Sequence, residues 1–170
     1  MRATFVALLA LAAASCASAP PAPVPGDGAR FERLKGLAGD WVAKGASEAP
    51  EGTKVTYRVT SGGSAVVETV FVGSPHEMVT VYTLDRGRLE LTHYCALANQ
   101  PHMQAQPEAR SDSITFVCTS LGNGIVSKDM HMHRGEITFL DANHVATAWT
   151  LWKDGAPAET VHIALERSDG

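Results

Sequence analysis

From Trp41 onward, hydrophobic and polar residues alternate with a period of two along most of the chain. In residues 53–60, for example, Val55, Tyr57 and Val59 alternate with polar or charged positions. Such alternation is typical of half-buried β-strands, and short turn signals such as Asp154-Gly155 separate the runs. The segments with this character are 41–45, 53–60, 65–72, 78–84, 88–95, 113–118, 135–140, 144–152 and 159–166.

The order and spacing of these segments predict one fold. Phe31, Leu34 and Leu37 stand at helical spacing before the first strand, so we expect a short helix that ends near Gly39. Many short strands joined by tight turns indicate an antiparallel sandwich or barrel. Consecutive hairpins favour a barrel, because closure removes exposed strand edges. We therefore predict an all-β, up-and-down barrel of about nine or ten strands with a short N-terminal helix.

Two segments depart from this pattern of alternating strands and short turns. Residues 96–112 are long and polar, and we interpret them as a loop at a strand end. Loops of this length in a compact domain are usually functional or mobile. Residues 121–134 form a second irregular stretch.

The first thirty residues predict where the protein is located in the cell rather than part of its fold. Arg2, an apolar run over residues 3–14, and small residues before Cys16 together resemble a bacterial lipoprotein signal. We expect a signal peptide over 1–15, a lipidated Cys16, a Pro/Ala-rich tether over 16–30, and the barrel domain over 31–170. Ordinary cleavage after residues 17–19 is the alternative. The predicted location is the bacterial cell envelope, facing the periplasm or on the outer membrane, with the lipid as the membrane contact.

Composition narrows the partners and the cysteine chemistry. The 170-residue chain has a formal net charge of −4 and a sequence pI near 5.9. Without a basic excess, we do not expect nucleic-acid binding. If Cys16 is acylated, Cys95 and Cys118 remain as a pair in an oxidising compartment, and we predict a disulfide between them.

Polar side chains on apolar strands are the candidates for a binding site. His93 shares the apolar face of its strand with Leu89 and Leu91, so we expect it to point inward. His93 is either a core residue whose hydrogen bonds are made within the protein or a residue that contacts a ligand. The other predicted pocket or rim residues are Tyr94, Asn99, Gln100, Met103, His131, His133, Tyr57, Glu68 and Tyr82.

Residues 130–133, Met-His-Met-His, are the segment richest in side chains that can bind a metal. Imidazole and thioether groups bind copper, and imidazole also binds zinc. His131 and His133 share a face only if the segment is extended. The metal candidates are therefore His93, His131 and His133, although their spacing matches no closed metal signature.

Several segments support a family resemblance. Gly39-Asp40-Trp41 after a short helix looks like the Gly-x-Trp opening of lipocalin-like barrels. With residues 71–78, 93–103 and 131–133, the chain resembles an uncharacterised bacterial family of secreted lipocalin-like proteins. That resemblance implies a calycin-type barrel with an inner cavity and implies no established activity. A more distant likeness is to nitrobindin-type haem barrels, whose haem-ligating histidine has no matching position here.

These observations lead to one functional prediction and two alternatives. We expect a lipid-anchored cell-envelope protein that binds a small, largely apolar ligand in the barrel cavity. The first alternative is a barrel that holds haem, copper or zinc. The second is an enzyme with His93 as base, although no nucleophile motif such as Gly-x-Ser-x-Gly is present.

Overall fold

The computed structural model describes residues 26–45, 47–107 and 110–168. These residues form one helix followed by ten strands, with a short 3-10 turn at residues 61–63. The elements are α1 (Asp27–Lys35), β1 (Gly39–Ala43), β2 (Lys54–Thr60), β3 (Ala65–Val70), β4 (Met78–Asp85), β5 (Arg88–Tyr94), β6 (Gln100–Ala105), β7 (Ser113–Gly122), β8 (His131–Phe139), β9 (His144–Lys153) and β10 (Ala156–Arg167).

The strands close into a single barrel. Each strand pairs antiparallel with the next one along the chain, and β10 returns to pair with β1 through Trp41↔Arg167 and Ala43↔Leu165. This closure satisfies the backbone groups that an open sheet would leave at its edges. The predicted all-β, up-and-down barrel with a short N-terminal helix is confirmed. The arrangement is consistent with a calycin-like fold.

Helix α1 and Trp41 close one end of the barrel. Leu34 of the helix is fully buried, and the Trp41 indole is 1 % exposed. The indole Nε1 donates a hydrogen bond of 2.8 Å to the carbonyl of Leu37. The guanidinium of Arg167 lies 4.3 Å from the centre of the same ring and donates to the carbonyls of Gly36 and Ala38. Every polar group named at this end therefore has a partner.

Two predicted boundaries need correction. The segment 96–112 is not one long loop, because it contains β6, in which Pro101 and Met103 are buried. His102 is exposed and Gln104 half-buried, so polar and apolar residues alternate in β6, but the strand contains a proline and no β-branched or aromatic residue that would have marked it in the sequence. Helix α1 begins at Asp27, inside the predicted tether. The Asp27 carboxylate pairs with Arg30 and accepts from the backbone N–H of Leu89.

The predicted signal peptide, Cys16 and most of the tether lie outside the described residues. Within the described residues, the one α-helix is far too short to serve as a membrane-spanning segment.

Candidate functional site

A cavity of about 100 Å³ opens at the end of the barrel opposite α1. Its outer part is apolar and partly exposed, whereas Glu68, Thr80 and His93 lie buried at its inner wall. The side chains that line it are Glu68, Val70, Phe71, Met78, Thr80, His93, Met132, Trp149, Val161 and Ile163.

A row of polar side chains crosses four neighbouring strands at the inner end of this cavity. Strand register places Tyr57 opposite Glu68, Glu68 opposite Thr80, and Thr80 opposite His93. Because side chains alternate between the two faces of a strand, this register brings all four onto the inner face. We call Tyr57, Glu68, Thr80 and His93 the polar row.

Three hydroxyl groups converge on the Glu68 carboxylate. Tyr57 donates to one oxygen at 2.6 Å and Tyr82 to the other at 2.7 Å. The hydroxyl of Thr80, which stands opposite Glu68 on the next strand, also acts to lower the pKa of this group. Burial raises the pKa of Glu68, and the three hydroxyl donors oppose that rise. Burial, together with the charge of Glu68, raises the pKa of Tyr57 and Tyr82 well above the usual value, so both remain protonated and donate.

His93 ends the polar row with one ring nitrogen unpaired. Its Nδ1 lies 2.9 Å from the Thr80 hydroxyl, whereas the buried Nε2 has no hydrogen-bond partner in the described part of the chain. Burial lowers the pKa of His93 to about 4, so the ring is neutral at physiological pH. The Thr80 proton is best donated to the Glu68 carboxylate, since a charge-assisted bond is the stronger one. The Nδ1–H of His93 then donates to Thr80, and Nε2 is a free acceptor.

Trp149 forms the wall beside this histidine. The two rings lie 5.1 Å apart between centres, tilted by 31°. Gly135 on β8 makes this position available, because a Cβ at that residue would come within 2.9 Å of the indole ring. A glycine here is therefore a requirement of the close approach between strand and ring.

The structure brings only part of the predicted site together. His93 and Glu68 line the cavity, and Tyr57 and Tyr82 lie behind Glu68. Tyr94 follows His93 but points outward, with 51 % of its surface exposed.

The residues that were expected on the loop lie elsewhere. Gln100 begins β6, half-buried, and Met103 is packed in the core. Asn99 is buried and donates to the carbonyl of Met130 at 2.8 Å, while its Oδ1 is unpartnered. These three residues do not line the cavity.

The predicted disulfide is absent, since Cys95 and Cys118 are both free thiols. The strand register supplies the reason. Cys118 pairs with Met103, and Met103 pairs with Leu91. Cys95 directly follows the end of β5, four residues beyond Leu91. It therefore lies two strands away from Cys118 and about 13 Å further in the strand direction. A disulfide requires Cα atoms within about 7 Å.

His131 and His133 meet Cys118 instead, at the same end of the barrel. One ligand atom from each of the three lies within 4.8 Å of the other two. Nε2 of His131 is 3.0 Å from Nδ1 of His133, whose ring stacks on Trp152. Of the three predicted metal candidates, His93 does not belong to this cluster.

Sequence reasoning missed Thr80, Trp149, Phe71 and Met132. Thr80 had no usable signal, because its contact with His93 depends on the register between β4 and β5. Trp149 had none, because its position depends on the glycine of a neighbouring strand.

No protein-family model matches this chain, and no curated protein matches it significantly.

Proposed function

We propose that this protein binds a small, largely apolar ligand at the open end of the barrel, and that the ligand donates one hydrogen bond to Nε2 of His93. The observation that carries the proposal is the buried Nε2 of His93, which has no hydrogen-bond partner among the described residues and lies at the wall of a largely apolar cavity. A buried polar atom without a partner costs about 1–3 kcal/mol. A ligand with a hydroxyl or N–H group at this point removes that cost.

The cavity volume limits the size of the ligand. Drug-sized ligands occupy pockets of roughly 300–1,000 Å³, and an apolar cavity of about 150 Å³ takes up benzene. The present cavity of about 100 Å³ is smaller but open on one side. It suits a single ring or a short chain, and its size does not favour haem.

The enzyme alternative, with His93 as base, stays a prediction. A base works best when its pKa lies near the working pH. The low pKa of His93, about 4, therefore supports a hydrogen-bond acceptor better than a proton-abstracting group.

Three ring compounds of similar size test the binding proposal. Phenol donates a hydrogen bond, benzaldehyde only accepts one, and toluene does neither. We expect the ratio of phenol to toluene affinity to fall roughly two- to tenfold in His93→Leu, the value of one hydrogen bond. NMR titration of the imidazole and indole signals measures affinity and location together, and the imidazole ¹⁵N shifts report the tautomer.

The chain offers a matched control on its outer face. Thr92 and His102 form the same Thr–His pair at 3.0 Å, but they are exposed to solvent. His102→Leu should leave all three affinities unchanged. If His93→Leu instead weakens benzaldehyde alone, Nε2 carries the proton and the proposal is wrong. Equal phenol-to-toluene ratios in wild type and His93→Leu would contradict it as well.

We also propose that the barrel is held at the cell envelope by lipid on Cys16. The support is the sequence alone, namely an apolar run followed by small residues and a cysteine. Cys16→Ala should move the protein from the membrane fraction to the soluble fraction. Cys95→Ala is the matched control and should stay with the membrane. Unchanged membrane association of Cys16→Ala would reject the anchor.

A further inference from the structure

We propose that Cys118, His131 and His133 bind one zinc ion at the open end of the barrel. This site is separate from the ligand cavity and does not depend on the function proposed for it. Thiolate and imidazole are the ligand types that zinc prefers, and three protein ligands with an open fourth position are a common zinc arrangement.

Strand geometry brings the three side chains together. Strands β7 and β8 pair as far as Val117↔Arg134, and their pairing stops at that point. A register shift in the pairing of β8 with β9 between Met132 and Arg134 adds an extra residue, His133. Cys118, His131 and His133 therefore meet where the two strands separate, with Cys118 and His131 buried and His133 partly exposed.

His131 is already oriented as a metal ligand. Its Nδ1 lies 2.7 Å from the carbonyl oxygen of Asp129, which can only accept, so Nδ1 carries the proton. Nε2 of His131 can then act as an acceptor, and it faces Nδ1 of His133 at 3.0 Å. Histidine ligands of metals usually donate their other N–H to a carbonyl or carboxylate in this way, which fixes the tautomer and the ring orientation.

The spacing of the donor atoms is close to that of a zinc site. With Zn–N bonds of about 2.0–2.1 Å, tetrahedral geometry places two nitrogens about 3.3 Å apart. The two imidazole nitrogens are 3.0 Å apart in this structure. A Zn–S bond of about 2.3 Å calls for a sulfur–nitrogen separation of about 3.6 Å. The sulfur of Cys118 lies within 4.8 Å of one ligand nitrogen of each histidine, so it has to approach them by at most about 1.2 Å.

Zinc binding requires two proton changes. The Cys118 thiol, which now donates to the carbonyl of Ser120 at 3.2 Å, loses its proton to solvent and binds as thiolate. His133 moves its proton from Nδ1 to Nε2, and the partial exposure of that ring lets water receive the N–H. Stacking on Trp152, with 3.7 Å between ring centres, holds the imidazole plane in place. Water supplies the fourth ligand.

Cobalt(II) as a spectroscopic substitute for zinc tests the site in the full chain. All variants carry Cys16→Ser, so that Cys95 and Cys118 are the thiols present. We expect one Co²⁺ per chain, a thiolate-to-cobalt charge-transfer band in the near ultraviolet, and the strong visible bands of tetrahedral cobalt. Zn²⁺ should displace the cobalt and abolish these bands.

Two variants and two controls decide the outcome. Cys118→Ser should remove the charge-transfer band, whereas Cys95→Ser should retain it. His133→Ala, at a partly exposed position, should weaken Zn²⁺ binding by at least about tenfold. His102→Ala should bind as wild type does. The proposal is overturned if wild type shows no thiolate band, if the band survives Cys118→Ser, or if His133→Ala binds Zn²⁺ unchanged.

Discussion

Each end of the barrel has a tryptophan beside polar side chains, but the two tryptophans differ in burial and their polar neighbours differ in hydrogen bonding. At the closed end, Trp41 is packed beneath α1, its indole N–H is bonded, and Arg167 covers its ring. At the open end, Trp149 is only partly buried and stands beside a histidine nitrogen without a partner. At the closed end the polar atoms around Trp41 are hydrogen-bonded and the indole itself is packed. The end with spare space and a spare acceptor has properties that binding requires.

The largest expected effect comes from breaking the closed end. Trp41→Ala removes a 1 %-exposed indole, leaves the carbonyl of Leu37 without its donor, and takes away the ring beneath Arg167. Such a truncation typically costs about 3–5 kcal/mol. Urea unfolding measures the loss. Trp152→Ala, at a half-buried position near the open end, is the matched control and should cost clearly less. Equal losses of unfolding free energy in the two variants would show that the closed end does not contribute more to stability than the open end.

The closed end was also the more predictable of the two. Helically spaced Phe31 and Leu34 predicted the short helix, and the resemblance of Gly39-Asp40-Trp41 to the opening of lipocalin-like barrels marked the entry to the first strand; both signals lie within a few residues of sequence. The alternation of Leu89, Leu91 and His93 likewise placed the histidine inside. Local pattern therefore predicted nine of the ten strands, the inward position of His93 and the barrel class.

The side-chain contacts at the open end depend on strand register, which the sequence does not reveal. Thr80 meets His93 and Cys118 meets His131 only because particular residues pair across strands. The same limitation led to the predicted disulfide, since Cys95 and Cys118 share a face but differ by four residues along the strand direction. β6 was missed because residues 100–105 contain a proline and no β-branched or aromatic residue, although polar and apolar residues alternate there.

The second prediction uses pH to separate the two ends. The pKa of His93 is about 4 in the folded protein and near 6.5 when unfolded. Below pH 6.5, His93 therefore binds a proton in the unfolded chain but not in the native protein. The free energy of unfolding decreases as the pH falls toward 4. Between pH 7 and pH 5, this single group should lower the free energy of unfolding by about 2 kcal/mol.

A variant isolates that contribution from the other titrating groups. His93→Gln should be less sensitive to this pH change than wild type by about the same 2 kcal/mol, since every other group is shared. The raised pKa of Glu68 acts in the opposite direction, because its stabilising effect at low pH is lost as the pH rises. Urea unfolding of both proteins at the two pH values gives the difference. Parallel pH profiles would mean that His93 is not desolvated.

The smallest expected effect concerns the cation that covers the closed end. Arg167→Lys keeps the charge but loses the flat guanidinium that stacks on Trp41 and bonds the carbonyls of Gly36 and Ala38 at 3.0 and 2.9 Å. A lysine ammonium cannot stack on the ring and reach both carbonyls at once. We expect a stability loss of about 1 kcal/mol, in line with an exposed cation–π contact and a weakened hydrogen bond.

The exposed Arg58 on β2 is the control for this substitution. Arg58→Lys should stay within about 0.5 kcal/mol of wild type, as surface substitutions usually do. Phenol affinity should be unchanged in both variants, because the cavity lies at the opposite end of the barrel from Arg167. A change in phenol affinity in Arg167→Lys would mean that packing at the closed end sets the shape of the open one, and that the two ends do not act separately.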